Sequence, residues 1–282
     1  MDRKADNDIE LWYGTVAATS IRGLIHAASR AGFRSVAVHP GMHRRALVEP
    51  NGLSEVRGLM EETGVVVSTI DPLTASLPGV PSPQDVPERF REFLSFAADE
   101  CIEAAHALGA RTVCIAPFLG GPAPYDEALD AVSRLSERIG AAGLRAAVEF
   151  MPGTLFPDLP TALRIWQEVD APHLGIVFDT WHFVRTGGTT ELLRTVPSSA
   201  VAVLQVSDRR EPTKDTPYVP MSGRLLPGDG ELPLADWVGH LVAERSDLSV
   251  GAEIFSDELR ALPVDVAAAQ SAAALRKLLA SL

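Results

Sequence analysis

Cysteine is nearly absent: Cys101 and Cys114 are the two in 282 residues, and neither sits in a CxxC or Cys/His pattern. That argues against a disulfide scaffold or a thiolate zinc site, and it fits reduced core thiols in a cytoplasmic setting. Long apolar runs are missing too. None approaches the roughly 18 residues that a membrane span needs, and the opening MDRKADNDIE has no signal-peptide core. Positive charge is scarce: 25 Lys and Arg face 37 Asp and Glu, a net charge of −12. Binding to nucleic acid draws on cationic side chains, so a long polyanionic partner is disfavoured and a small-molecule substrate is expected. A homo-oligomer stays open.

What is present reads as an enzyme-sized domain. The chain is 46% hydrophobic and 22% charged, ordinary for a folded protein, and α/β barrels reach this length as one domain. After a polar leader over residues 1–8, Ile9 to Val16 reads as a strand. A helix from Ser20 to Ala31 follows, with Ser20 as N-cap and Gly32 at its exit. Ser35 to Pro40 is the second strand, Leu53 to Thr63 a helix closed by Gly64, and Val65 to Asp71 the third strand.

The alternation continues. Apolar residues from Phe90 to Leu108 recur at helical spacing and predict one helix over about 87–108. Further strands are expected at Thr112 to Pro117, Leu144 to Phe150, LGIVFD, AVAVLQV and LSVGAEIF. The helices between and after them are placed at Leu129 to Ile139, Thr161 to Val169, Glu191 to Thr195, Leu234 to Glu244 and Pro263 to Leu282. Eight strands with continuous apolar runs indicate a parallel sheet covered by helices, closing as a (β/α)8 TIM barrel. An open doubly wound sheet is the alternative, but the first strand–helix junction, YGTVAATS, lacks a GxGxxG fingerprint.

In a barrel the site forms at the C-terminal strand ends, from loops near 72–87, 117–125, 180–190 and 207–233. Four stretches place an oxygen ligand there: Glu149 in RAAVEFMPG, Asp179 in LGIVFDTWH, Gln205 in VAVLQVSD and Glu253 in VGAEIFSD. A carboxylate after a β-branched run is costly to bury unless paired or bound to a cation, and an all-oxygen set suits a hard divalent ion. The plainer alternative is solvated loop caps. Spacings of 30, 26 and 48 residues set the four on consecutive strands and favour one shared site.

His39 and Asp71 end strands two and three, so both are candidates for substrate contact, with Trp12 and Phe118 as an apolar wall. Arg224 precedes the PGDGELPL loop and is a candidate to steer a substrate oxygen or carboxylate. Asp208 and Arg209 follow strand seven, placed to touch the ligand or orient Gln205.

VEFMPG, VFDTWH, LQVSD with GRLLPGDGELPL, and AEIF together resemble the xylose-isomerase-like TIM-barrel superfamily. That superfamily holds sugar phosphate isomerases and epimerases, ketose 3-epimerases, inosose and 3-dehydroshikimate dehydratases, and endonuclease IV. The resemblance implies that Glu149, Asp179, Gln205 and Glu253 hold one divalent ion, manganese foremost and magnesium or cobalt next. Many relatives have His where Gln205 stands. His182 matches a substrate-contacting His of the epimerases, and Glu149 and Glu253 match their paired acid/base glutamates.

The resemblance therefore implies an isomerase or epimerase acting on a sugar or related hydroxy-carbonyl compound through an enediolate-type intermediate. The alternative is a dehydratase of a cyclic keto-polyol, in which the same intermediate expels a β-hydroxyl. A barrel that only binds a metabolite is a third possibility. Leu155 occupies a position that is acidic in the epimerases, which weakens the expectation of that kind of polyol recognition and brings in a less polar or cyclic substrate. The acidic PGDGE and SDEL loops disfavour a phosphorylated one.

Overall fold

In a computed structural model, residues 8–18, 20–75, 77–210, 221–243, 245 and 247–282 are described. Residues 1–7 of the leader and the 211–220 part of the loop expected at 207–233 lie outside them. Eight parallel strands close into a barrel in sequence order: β1 Ile9–Trp12, β2 Ser35–Val38, β3 Val66–Leu73, β4 Thr112–Ile115, β5 Arg145–Glu149, β6 Leu174–Asp179, β7 Val201–Val206 and β8 Val250–Ala252. β1 pairs with both β2 and β8. Helices follow the strands, as the alternation requires. No helix among the described residues is long and apolar enough to cross a membrane.

The side-chain period of two decides what each strand residue meets. Outward residues such as Leu11, Val36, Val113, Val148, Ile176 and Leu204 join the core shared with the helices. Their neighbours Trp12, Ala37, Cys114, Ala147, Val177 and Val203 form a separate apolar cluster inside the barrel. Five of these six are small or medium-sized, and the Trp12 indole fills the space they leave. Gly251 makes room for it, since a Cβ there would stand 2.4 Å from Trp12 Nε1. One step further along the same inward face come Glu149, Asp179, Gln205 and Glu253, two residues beyond Ala147, Val177, Val203 and Gly251. Buried apolar side chains thus form the floor on which the polar layer rests.

Local chemistry sets the element ends. Ser20 accepts the Gly23 N–H at 3.2 Å and starts the helix Ile21–Ala31, which Gly32 closes at φ 79°. Threonines latch three strand ends to their neighbours. The hydroxyls of Thr15, Thr74 and Thr180 donate to the carbonyls of Ala252, Ala116 and Ser207 at 2.7, 2.9 and 2.7 Å.

Three expectations are corrected. The helix read across 87–108 is broken into Glu88–Arg91, a 3-10 turn at Glu92–Leu94 and Ala98–Leu108. Its second half starts anew because the Glu100 carboxylate accepts the Ala97 N–H at 3.0 Å. The first strand stops at Trp12, and Tyr13–Thr15 form a 3-10 turn held by Thr15. The helix Pro40–Val48, unforeseen in the sequence, starts directly after His39, whose Nδ1 accepts the Gly41 N–H at 3.0 Å.

Candidate active site

Glu149, Asp179, Gln205 and Glu253 converge at the C-terminal mouth and are all buried. Register staggers them: Asp179 pairs with Gln205, while Glu149 is level with Val177 and Gln205 with Gly251. Asp179 divides its labour. Its Oδ1 caps the helix Thr180–Arg185 by accepting the Trp181 N–H at 2.7 Å, leaving Oδ2 to face the site. The capped helix carries His182 back over Asp179, because positions three apart share a helix face. His182 Nε2 lies 3.6 Å from Asp179 Oδ2 and 3.5 Å from Glu149 Oε1.

Arg224 is the cation of this layer. Its Nη1 donates to Asp179 Oδ2 at 2.9 Å, to Glu253 Oε2 at 2.6 Å and to the Glu253 carbonyl at 3.0 Å. Gln205 Nε2 donates to the other Glu253 oxygen at 3.1 Å. Both carboxylate oxygens of Glu253 therefore accept from protein donors. Gln205 Oε1 is buried without a partner.

Burial, reinforced by the charge of Glu253, holds the Glu149 carboxyl well above the usual carboxylate range. Burial also raises Glu253, against the pull of Arg224. For Arg224 burial disfavours the charge, yet Asp179 and Glu253 more than offset it and the guanidinium stays protonated. Burial lowers His182 to about 4, so its imidazole is neutral at pH 7.

The loop that delivers Arg224 is built by Asp208. Its carboxylate accepts the backbone N–H groups of Arg209, Gly228, Gly230 and Leu232 at 2.8 to 3.1 Å. Backbone bonds between Asp208 and Leu225 at 2.9 and 2.8 Å complete the anchor. Gly230 is required because a Cβ would stand 2.2 Å from Asp208 Oδ1. Asp208 thus serves the loop instead of substrate or Gln205, and Arg209 turns to Glu231 at 3.5 Å.

The opposite half of the mouth is aromatic. Tyr13, Phe93 and Phe118 line the same cavity as Asp71, Glu149, His182, Arg224 and Glu253, with roughly 460 Å³ of space, part of it open to solvent. Phe93 meets Phe118 at 5.2 Å and His39 at 4.7 Å between ring centroids. Burial lifts the Asp71 carboxyl to about 7, against the pull of the Tyr13 hydroxyl. Its Oδ1 has no partner.

Two expected contacts fall elsewhere. Trp12 is sealed inside the barrel, and the turn after it brings Tyr13 to the rim instead. His39 spends Nδ1 on a helix cap and packs behind Tyr13 and Phe93 rather than lining the cavity. Sequence reading missed Tyr13 and Phe93. Tyr13's position directly after β1 was a usable signal, whereas Phe93 lay within a segment read as one helix, off its apolar stripe.

The donor set fits a divalent cation. Four carboxyls, Asp71, Glu149, Asp179 and Glu253, face the mouth with one guanidinium among them, and Gln205 Oε1 and His182 offer uncharged donors. Among the described residues, Glu149, Asp179 and His182 form the group whose ligand atoms lie within 4.8 Å of one another.

A closed eight-stranded barrel with a carboxylate-rich mouth defines the class, and comparison with known proteins gives the family. The xylose isomerase-like TIM barrel family matches residues 25–278, and the chain belongs to it. The family is one of enzymes, with dehydratase and epimerase members. A 3-dehydroshikimate dehydratase of Pseudomonas putida is 26% identical over 171 residues, 59% of this chain but 27% of that protein. The chain thus spans about a quarter of that relative's length. Among solved structures, the zinc-bound IOLI protein is similar with a TM-score of 0.79 at 15% identity, covering 97% of this chain and 98% of that one. The 3-keto-D-glucoside 4-epimerase YcjR of E. coli is similar with a TM-score of 0.67 at 16% identity, covering 97% of this chain and 99% of the other.

Proposed function

We propose that this protein is a metal-dependent dehydratase that takes a proton from the carbon beside the carbonyl of a cyclic hydroxy-ketone and releases the β-hydroxyl as water. The observation that carries this reading is the division of one cavity. Glu149, Glu253, His182 and Arg224 supply an acidic half, and Tyr13, Phe93 and Phe118 an aromatic half. A six-membered ring presents a broad apolar face to aromatic rings while its oxygens turn toward polar groups. Leu155 is packed in the core, so it adds no acid for an open-chain polyol. The dehydroshikimate dehydratase relatives support the same substrate class.

Glu253 is the base. Arg224 and Gln205 fix both of its oxygens, which orients the carboxylate, and Arg224 pulls against the burial that raises it. Asp71, across the mouth, is the acid. With a carboxyl lifted to about 7 and a free Oδ1, it holds a proton for the departing hydroxyl. The carbon-bound proton goes to Glu253, the C–O electron pair leaves with the hydroxyl, Asp71 protonates it to water, and an enone remains. Glu149 and Asp179 would hold the divalent ion, with further ligands from Gln205, Glu253 or His182. That ion, when bound, supplies the Lewis acid that stabilises charge on the substrate carbonyl.

A second reading, isomerase or epimerase, is favoured by one observation: Glu149 and Glu253 line the same cavity and burial raises both carboxyls. Such a pair can take and return one proton. Incubation of the metal-loaded protein with cyclic keto-polyols and ketoses in deuterated water separates the two. Enone absorbance with loss of water supports the dehydratase. Deuterium in recovered substrate or epimer, without loss of water, supports the isomerase; neither signal across both panels overturns both readings.

A further inference from the structure

We propose that the N-terminal mouth of the barrel, at the far end from the candidate active site, is a second ligand site where Arg111, Thr112 and Arg145 take a tetrahedral oxyanion of phosphate type. The period of two that carries Glu149 past the apolar floor also works in the other direction. Two residues before Trp12, Ala37, Cys114 and Ala147 stand Glu10, Ser35, Thr112 and Arg145, so a second polar layer lies beneath that floor. It borders a cavity with roughly 2200 Å³ of space, part of it open to solvent, which no residue of the candidate active site lines.

Register sets the two arginines side by side. Thr112 of β4 is level with Arg145 of β5, and the Arg145 N–H donates to the Arg111 carbonyl at 2.8 Å. Other arginines at this end of the barrel are engaged. Arg245 holds Asp247 through two nitrogens, at 2.7 and 3.0 Å, and donates to the carbonyls of Ser198 and Val201. Arg57 donates to the Ala107 carbonyl, and Arg276 to those of Ala31 and Gly32. Such bonds answer the unpaired carbonyls where helices end. Arg111 and Arg145 differ. Among the described residues neither side chain has a hydrogen bond or ion pair, and Arg145 Nε is buried without a partner.

A half-buried guanidinium in that position is costly, and burial together with the charge of Arg245 lowers Arg145 from its ordinary value. An anion between Arg111 and Arg145 removes that cost. The mouth is also cationic, although the chain carries a net charge of −12. Arg34, Arg111, Arg145 and Arg245 line it with three carboxyls, and burial lifts one of these, Glu10, to about 7. Guanidiniums reaching in from two strands, with the Thr112 hydroxyl beside them, meet the oxygens of a tetrahedral ion from several directions, whereas a planar carboxylate is satisfied by one fork.

The test titrates the whole metal-free chain, by calorimetry at low ionic strength, with inorganic phosphate, glycerol phosphate and citrate. One saturable phosphate site per chain is expected, weakening as salt is added. Arg111→Gln and Arg145→Gln should each bind phosphate about 10- to 100-fold more weakly, while Arg57→Gln should bind as wild type does. Inorganic phosphate binding as well as the ester supports the ion itself as ligand, and tighter binding of the ester supports a phosphorylated metabolite.

Citrate binding more tightly than both phosphates overturns the ligand class. A crystal of the phosphate-loaded chain should show the ion against Arg111 and Arg145; an ion at Arg224 alone overturns the site. Absence of saturable binding overturns it equally, as does unchanged binding in both Arg111→Gln and Arg145→Gln.

Discussion

The ends of β5 to β8 and of β1 to β4 share one rim, yet they solve different problems. The first half gathers Glu149, Asp179 and Glu253 and must neutralise them, so it recruits Arg224 from a distant loop and fixes that loop through Asp208. The second half carries one carboxyl, Asp71, among Tyr13, Phe93 and Phe118, and holds its shape by ring packing. Charge demands specific partners with directed hydrogen bonds, whereas an aromatic wall needs only volume and contact. The proposed chemistry therefore falls to the acidic half, and the proposed selection of a substrate's shape to the aromatic half.

That contrast can be broken from either side. The largest effect is expected for Glu149→Gln, which removes a ligand charge: activity should fall by about 10³-fold or more, with metal content dropping in elemental analysis. Arg224→Met comes next. It leaves Asp179 and Glu253 buried without their cation, and urea denaturation of the metal-free protein should show a loss of about 3–5 kcal/mol. Added divalent ion should restore part of that stability.

On the aromatic side the sign reverses. Asp71 has a carboxyl raised to about 7, so its contribution to stability is full below about pH 4 and is lost as pH rises through 7. Asp71→Asn should stabilise the metal-free protein at pH 8, on the order of 2–4 kcal/mol, with the gain vanishing toward pH 4. Thermal melts across pH would check this, and turnover should fall as stability rises. The smallest effect is expected for Phe118→Ala, which trims the wall: KM should rise about 10-fold while kcat changes little.

Much of the acidic half was legible in the chain. Glu149, Asp179, Gln205 and Glu253 each stand at or beside a strand's C-terminal end, two residues beyond an inward position, and period two sends all four inward once the sheet closes. Arg224 was legible as a candidate, but its bonds to Asp179 and Glu253 depend on a loop folded around Asp208. The aromatic half was harder to read. Trp12 and Tyr13 are adjacent, and only the turn latched by Thr15 decides which one fills the barrel and which one lines the mouth. His39 looked like a strand-end contact until the helix Pro40–Val48 claimed its Nδ1.

The sequence by itself determined the barrel and the inward set of oxygen-bearing side chains, which follow from periodicity and from the cost of burying charge without a partner, and its motifs carried the family. Only the tertiary structure decided how those side chains are partnered. Arg224 and Gln205 engage Glu253, while His182 is brought to Glu149 and Asp179. Such pairings depend on approaches of 3.1 to 3.6 Å between side chains of residues 3 to 48 positions apart. Spacing along the chain carries no record of them.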